Sequence, residues 1–198
     1  MTAKRTPIVA LGAGVVALLV VGLIELAGSP TSPPGAPLKL TLAQMRASLA
    51  GSPEPLAELH AQAGELLSGG ASRLDARLAS LRGRAVVINK WASWCEPCRA
   101  EFAAFQRVSL SQGRQVAFIG IDSGDSSRAD AVAFLRSFPV SYPSYYDKSG
   151  GLGAALTDST FTPVTVFYDR HGAQFIHQGP YLNEVQLERD VRRYALDA

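Results

Sequence analysis

Apolar and polar residues follow three different patterns along the chain, and each predicts a different kind of structure. Residues 8–27 form an almost unbroken apolar run. Residues 41–82 place apolar positions at helical spacing, whereas residues 83–198 alternate short β-branched runs with amphipathic stretches. These patterns predict a membrane-spanning helix, a helical lead-in and a domain of mixed strands and helices. Residues 28–40, rich in Pro and Gly, are expected to be a flexible linker.

The apolar run Ile8–Ala27 has the length of a transmembrane helix, since roughly twenty residues at helical rise cross a hydrocarbon core of about 30 Å. Lys4 and Arg5 precede the run, and no Lys or Arg follows it before Lys39. The positive-inside rule then makes residues 1–7 a cytoplasmic tail. We therefore expect a single-pass membrane protein whose remaining chain lies outside the cytoplasm, in the periplasm or at the cell surface.

A cleaved signal peptide is the alternative explanation of the apolar run. The run is longer than the apolar segment of a usual signal peptide. A cut after Ala27 would also place Glu25 where a small residue is expected. We therefore favour an uncleaved anchor, and both explanations export the rest of the chain.

The lead-in segment has the pattern of three helices. The first is expected to begin near Thr41. The second is expected over residues 53–70, with Pro55 in its first turn and Gly69 and Gly70 ending it. Ser72 is in position to cap the third, in which leucines recur at helical spacing.

In the domain that follows, strands and helices alternate. Its β-branched and apolar runs predict strands over residues 85–91, 115–122, 144–147, 164–169 and 173–179. Amphipathic stretches after each of the first three strands, and at the end of the chain, predict helices. Two parallel strands joined by a right-handed crossover and extended by an antiparallel hairpin give an α/β fold with a mixed sheet between helices.

Composition and charge narrow the range of partners. The formal net charge is only +2, with basic residues mixed among acidic ones, so nucleic acid is not an expected partner. A structural zinc site needs four ligands, but the chain has two cysteines and three histidines at no ligand-like spacing from them. We therefore expect no metal, and proteins or small thiols as partners.

The two cysteines stand where a buried strand is followed by a helix, in the order Cys95, Glu96, Pro97 and Cys98. The amide donors and dipole of a helix N-terminus stabilise a thiolate, which is the reactive form of cysteine. We expect Cys95 to be an exposed attacking thiol and Cys98, one turn later, to resolve the mixed disulfide. Pro97 suits a first helical turn. The alternative, a chemically inert CxxC, is disfavoured by this setting.

The segment from Asn89 to Phe102, NKWASWCEPCRAEF, resembles the active-site segment of the TlpA/ResA-like branch of the thioredoxin superfamily. The resemblance extends from about Gly83 to the C-terminus. It implies a thioredoxin-like fold, a tether outside the cytoplasm, and a redox-active disulfide of Cys95 and Cys98 with no other cofactor. The branch often has an N-terminal β-hairpin, whereas the lead-in of this chain has the pattern of helices.

The resemblance also implies a loop with a cis-proline that binds the substrate backbone. Thr162 and Pro163, which stand just before the fourth predicted strand of the domain, match this loop. Together with Trp94, Glu96 and Pro97 beside the cysteines, they are the predicted substrate-binding residues. An ordinary trans turn proline is the alternative for Pro163.

Glu101 matches the glutamate that ResA-like proteins use for proton transfer in the helix after the motif. Plain thioredoxin uses instead a buried aspartate on the preceding strand, at the position of Asn89, which cannot accept a proton. Glu101 follows Cys98 by three residues, so both can share a helix face. A solvated helix glutamate is the alternative.

We expect an enzyme that exchanges disulfides with exported proteins. The resemblance favours a reductase recharged by a membrane electron donor, as in cytochrome c maturation. An oxidase that inserts disulfides is the chief alternative, since reduction potentials of such dithiols span roughly −270 to −120 mV. A non-catalytic module that binds unfolded proteins is a third possibility.

Overall fold

The computed structural model describes residues 37–197. The predicted cytoplasmic tail, the predicted membrane anchor and most of the linker, residues 1–36, lie outside the described residues. Among the helices within 37–197, none combines the length and the apolar character that crossing a membrane requires.

Seven α-helices and six strands are found over these residues, and the chain ends in a π-helical turn, Arg192–Leu196. The helices are α1 (Leu42–Ser48), α2 (Leu56–Ala61), α3 (Gly70–Ser80), α4 (Glu96–Gln112), α5 (Arg128–Ser137), α6 (Gly151–Thr157) and α7 (Glu184–Val191). The strands are β1 (Leu66–Leu67), β2 (Ala85–Trp91), β3 (Val116–Ser123), β4 (Ser144–Asp147), β5 (Val164–Tyr168) and β6 (Gln174–Gln178).

The six strands form one mixed sheet in the order β1-β4-β3-β2-β5-β6. Strands β2 and β3 pair in parallel along their whole length, from Ala85 opposite Val116 to Trp91 opposite Asp122. Strand β5 pairs antiparallel to β2 and forms a hairpin with β6. The predicted mixed sheet and its closing hairpin are confirmed.

Both faces of the sheet are covered by helices, as predicted, because β2 and β3 carry apolar residues on both sides. All seven residues of β2 are buried. Helices α4, α5 and α7 pack on the face that carries Val87, Trp91, Phe118 and Phe167. Helices α2, α3 and α6 pack on the face that carries Val86, Ile88, Ile119 and Val166.

The lead-in differs from its predicted pattern at the second and third helices. Helix α2 ends at Ala61, and Leu66–Leu67 pair in parallel with Ser144 and Tyr145 of β4. The free edge of β4 offers hydrogen bonds, and both leucines become buried by joining it, which outweighs their helical propensity. A two-residue strand has no periodicity that a sequence pattern could reveal.

Ser72 does not cap α3, contrary to the prediction. The N-cap residue is Gly69, three residues before Ser72, at a φ of 125°. The helix therefore begins at Gly70. The hydroxyl of Ser72 instead donates to the carbonyl of Gly69 at 3.3 Å. A left-handed φ is open to glycine without steric cost, so the Gly-Gly pair that was expected to end one helix begins the next.

The lead-in is an integral part of the core, because residues 37–197 belong to one compact unit. Leu56 and Leu59 of α2 are fully buried against the sheet, in the same cluster as Ile119 and Ile121. The lead-in thus closes one face of the sheet whose other face carries α4.

We predict that Leu59→Ala lowers the free energy of unfolding by about 2–5 kcal/mol, because it leaves a cavity beside the sheet. Leu182→Ala, at a leucine that is 64% exposed, is the matched control and should change stability by less than about 0.5 kcal/mol. Urea unfolding followed by circular dichroism measures both. Equal effects of the two substitutions would show that the lead-in does not contribute to the core.

Candidate active site

Cys95 and Cys98 form a disulfide where β2 gives way to α4. Strand β2 ends at Trp91, and a short loop leads to Cys95, which is the N-cap residue of α4. The Cys95 sulfur accepts a hydrogen bond from the backbone N–H of Cys98 at 3.2 Å. Pro97 takes the second helical position, where an N–H would have no helical partner. The predicted placement of the two cysteines at a helix N-terminus is confirmed.

Cys95 is less exposed than the sequence predicts. The residue is 4% exposed and Cys98 is fully buried, so Cys95 is the more accessible of the two by a narrow margin. The cause is the position of its sulfur, which is bonded to Cys98 one turn into the helix and lies against the core that contains Trp91 and Phe102. Only a small part of Cys95 is therefore open to an incoming sulfur.

The loop before Cys95 is fixed by a carboxylate from the neighbouring strand. Asp125, just after β3, accepts hydrogen bonds at 2.8 Å from both the backbone N–H and the hydroxyl of Ser93. The backbone carbonyl of Asp125 accepts a hydrogen bond from the Tyr146 hydroxyl at 3.0 Å. These contacts hold the turn at Ser93 and Trp94, which the N–H of Cys95 closes by donating to the Ala92 carbonyl at 3.2 Å, and so place Cys95 at the N-cap.

A second buried carboxyl group, Asp122, lies next to Asp125. Burial, together with the carboxylates of Asp125 and Asp147, raises the pKa of Asp122 to about 9, and Arg128 partly opposes this shift. Neither carboxyl oxygen of Asp122 makes a hydrogen bond of normal geometry with residues 37–197. Asp122 is therefore protonated at neutral pH, so it adds no negative charge beside the carboxylate that holds Ser93.

Glu101 is fully buried in α4, which excludes the alternative of a solvated helix glutamate. One of its carboxyl oxygens accepts the backbone N–H of Tyr181 at 3.2 Å. Burial raises the pKa of Glu101 well above its ordinary value, and the Tyr181 N–H and the adjacent Asn89 amide only partly offset this. A proton can therefore be held at this carboxyl group one turn beyond Cys98.

The other oxygen of Glu101 belongs to a group of buried polar atoms that lack a normal hydrogen bond among the described residues. The group also includes the side-chain polar atoms of Asn89, Tyr142 and Thr165. Asn89 and Thr165 lie opposite each other in the register of β2 and β5, on the face that α4 covers. Burial raises the pKa of Tyr142, so its hydroxyl stays protonated and can donate within this group.

Tyr181 connects Glu101 to the C-terminal helix. Its hydroxyl donates to Asp190 of α7 at 2.9 Å, and its ring stacks on His177 at a centroid distance of 4.2 Å. The ring is fully buried, which fixes the backbone N–H that Glu101 accepts. Sequence reasoning missed Tyr181, because a backbone donor in a loop leaves no signal in the sequence.

Thr162 and Pro163 lie at the same end of the sheet as the disulfide, and the peptide bond between them is cis. The register of β2 and β5 sets Lys90 opposite Val164, so Pro163 lies level with the end of β2. The carbonyl of Pro163 accepts the N–H of Gly179 at 3.1 Å. Pro163 is buried and Thr162 half-buried. The trans turn that was the alternative for Pro163 is thus not the form observed.

The remaining predicted substrate-binding residues lie on the surface beside the disulfide. Trp94 is 65% exposed, and Pro97 is exposed on the first turn of α4. Glu96 is also exposed and pairs with Arg99 at 3.3 Å. Phe161, which no sequence pattern singles out, is 74% exposed just before the cis peptide bond. The exposed ring of Trp94 therefore offers an apolar contact next to Cys95.

Two polar residues that sequence reasoning missed lie buried near these loops. Lys90 is 1% exposed although it carries an ammonium group, and Asp125 is 3% exposed. A lysine inside an otherwise apolar strand pattern was a detectable signal for Lys90, since charged residues are rarely buried without a partner.

Over residues 37–197, no group of three or more His, Cys, Asp or Glu side chains is placed to hold a metal ion.

Comparison with known proteins agrees with this geometry. The model of the AhpC/TSA family matches residues 61–173. The chain is 30% identical over 105 residues to the thioredoxin-like protein YneN of Bacillus subtilis, covering 52% of this chain and 61% of that protein. It is 36% identical over 73 residues to the thiol-disulfide oxidoreductase ResA of the same organism, covering 35% of this chain and 39% of ResA. It thus spans less than two thirds of each relative.

A solved structure of a DsbF homologue from Corynebacterium diphtheriae superimposes with a TM-score of 0.54 at 27% identity. The match covers 59% of this chain and 75% of that structure. The predicted thioredoxin-like fold and the resemblance to ResA-like proteins are confirmed. The matched segment includes the strand β2, the disulfide and the cis peptide bond, and on this evidence the chain belongs to the AhpC/TSA family.

Proposed function

We propose that this chain is a thiol–disulfide oxidoreductase that exchanges disulfides with exported proteins outside the cytoplasm. The observation that supports this function best is the Cys95–Cys98 disulfide at the N-terminus of α4, with the Cys95 sulfur accepting an N–H of that helix. A sulfur in this position is stabilised as a thiolate when the disulfide is reduced. The name of the relative ResA, a thiol-disulfide oxidoreductase, supports the same chemistry.

The proposed reaction starts from the reduced dithiol. The Cys95 thiolate attacks one sulfur of a substrate disulfide, forms a mixed disulfide, and expels the other substrate sulfur as a thiolate that takes up a proton. The Cys98 thiol loses its proton and attacks the Cys95 sulfur, which closes the Cys95–Cys98 disulfide and releases the second substrate thiolate. Two electrons pass from the protein to the substrate, and neither a metal nor an organic cofactor takes part.

Glu101 is the proposed proton acceptor for Cys98. The two residues lie on one face of α4, three positions apart, and both are fully buried. A carboxyl group whose pKa is raised by burial can take a proton from a thiol and return it at neutral pH, which an ordinary surface glutamate cannot do well. The buried amide of Asn89 and hydroxyl of Tyr142 provide polar groups beside it.

The substrate polypeptide is proposed to bind across Trp94, Glu96 and Pro97 on one side and Thr162 and Pro163 on the other. The register of β2 and β5 sets these two loops at the same end of the sheet. Extended chains bind well at such a loop because its backbone groups can pair with them as an added strand would. Trp94 offers a large exposed apolar contact next to Cys95.

Residues 8–27 are proposed as the membrane anchor, with the domain outside the cytoplasm and a membrane protein as the electron donor. In this arrangement the protein acts as a reductase, as in cytochrome c maturation. The direction of electron flow follows from the reduction potential of the Cys95–Cys98 pair. Equilibration with glutathione or dithiothreitol measures it, and a potential near −270 mV supports the reductase whereas one near −120 mV supports an oxidase.

We predict that Cys95→Ser abolishes reduction of insulin disulfides, because no nucleophile remains in the position of attack. Cys98→Ser should instead accumulate a covalent complex with a disulfide-bearing substrate, since the mixed disulfide cannot be resolved. Non-reducing electrophoresis and mass spectrometry detect the complex. Full activity in the Cys95→Ser protein would refute the proposed function.

We predict that Glu101→Gln slows disulfide exchange about a hundredfold at neutral pH, because the amide can accept the Tyr181 N–H but not a proton. Stopped-flow kinetics between pH 5 and 9 should show a pH dependence in the wild type that the variant lacks.

The same variant should also differ from the wild type in how its free energy of unfolding depends on pH. The folded-state pKa of Glu101 lies above the value of 4.5, so the wild type binds more protons when folded and loses stability as pH rises above that value.

Urea unfolding of the oxidised proteins tests this second effect. The stability difference between Glu101→Gln and the wild type should grow in favour of the variant as pH rises from about 4.5 towards the folded-state pKa. A difference that stays constant with pH, together with unchanged exchange kinetics, would contradict the role proposed for Glu101.

A further inference from the structure

Strand β2 carries a buried lysine, five residues before Cys95 along the chain, that the proposed reaction does not use. Lys90 is 1% exposed and precedes Trp91, the last residue of the strand. Its pKa is lowered by burial, and the nearby Asp147 carboxylate partly opposes the shift. Burying an ammonium group is costly unless it finds hydrogen-bond partners, so those partners indicate its role.

The partners of Lys90 lie at the C-terminal end of α6. Its ammonium group donates to the carbonyl of Ser159 at 2.5 Å and to the hydroxyl of Thr157 at 3.4 Å. The Thr157 hydroxyl in turn contacts the same Ser159 carbonyl at 3.1 Å and the Gly153 carbonyl at 2.7 Å. Two side chains therefore converge on one backbone carbonyl just beyond the helix.

The position of this ammonium group is electrostatically favourable. Helix α6 ends at Thr157, and Asp158 follows in the left-handed region with a φ of 48°. The carbonyl end of a helix carries partial negative charge, which a nearby cation stabilises. Lys90 thus fixes the point at which the chain leaves α6, and it does so from the central strand that leads to Cys95.

The segment fixed in this way leads directly to the cis peptide bond. Ser159 stands three residues before Thr162, and its hydroxyl accepts the N–H of Phe161 at 3.1 Å. Asp158, Thr160 and Phe161 are exposed, so the side chains of these residues provide no burial that would order the segment. The Ser159 carbonyl is where this segment is tied to the sheet.

We propose that Lys90 is a positioning residue for protein substrates: its ammonium group holds residues 158–162 in the form that presents Thr162 and Pro163 to an incoming polypeptide. This inference depends on the substrate-binding role proposed for those two residues and adds a determinant of substrate size. Small disulfides reach Cys95 without the loop and should be indifferent to Lys90.

The test is Lys90→Met in the full chain, which removes the ammonium group and keeps an unbranched side chain of similar length. We expect the KM for insulin to rise about three- to tenfold, as loss of one ordering hydrogen bond implies, with kcat nearly unchanged. The second-order rate constants for oxidation by glutathione disulfide and for reduction by dithiothreitol should match those of the wild type.

Two further variants keep the test decisive. Thr157→Val removes the hydroxyl that accepts from Lys90 and contacts the Ser159 carbonyl, and it should raise the KM for insulin by a smaller factor, which tests the inference even where Lys90→Met fails to fold. Ser109→Ala removes an equally buried hydroxyl in the last turns of α4, roughly four turns from Cys95, and should leave all constants unchanged.

An unchanged KM for insulin in both Lys90→Met and Thr157→Val overturns the inference. So does an equal loss with insulin and with glutathione disulfide, which would mark a change at Cys95 itself and not in the substrate loop. Failure of the wild type to react with any disulfide would instead overturn the proposed function, so the two failures are distinguishable.

Discussion

The hydrogen bond from the Cys98 N–H to the Cys95 sulfur is the interaction on which the rest of this structure depends. It makes Cys95 the N-cap of α4, and so points the dipole and free amide donors of a seventeen-residue helix at one sulfur. That placement requires a buried strand ending at Trp91, a loop held two residues before Cys95, and a proline in the first turn. The sheet, the Ser93–Asp125 contact and Pro97 can all be understood as supports for this one cap.

Burial gives the residues along the first two turns of α4 different chemistry. Cys95 keeps a small exposed area at the N-cap, whereas Cys98 and Glu101 are fully buried in a core where Asn89 and Tyr142 bring polar atoms that lack a partner within residues 37–197. Burial of a carboxyl group that keeps its proton is less costly than burial of a charge, and the raised pKa of Glu101 is the consequence. The same core that stabilises the sheet thereby makes a proton-holding group available to the second cysteine.

The sequence predicted the central strands and the position of the two cysteines because each has a strong local signal, whereas the cis-proline loop was expected only from the resemblance to ResA-like proteins. A β-branched run such as residues 85–91 and a CxxC before an amphipathic helix are short patterns with a direct physical meaning. Strand β1 could not be predicted, because it depends on a partner distant in sequence. The start of α3 was missed because a Gly-Gly pair suits either end of a helix, and the low exposure of Cys95 because it depends on how the sulfur packs in the folded core. The contacts of Lys90 and Asp125 are of the same kind as β1, since their partners, Ser159 and Ser93, lie 69 and 32 residues away. The lysine itself stands out in an apolar strand, but its partners do not.

Cys95 is the proposed nucleophile because of where α4 begins, and the most direct test is the reactivity of the two thiols in the reduced full chain. Iodoacetamide at pH 7, followed by peptide mapping, measures which cysteine is alkylated and how fast relative to glutathione. The account predicts that Cys95 is alkylated first, and about tenfold or more faster than glutathione, because the helix N-terminus increases its thiolate fraction. Alkylation of Cys98 first, or of Cys95 no faster than glutathione, would contradict it.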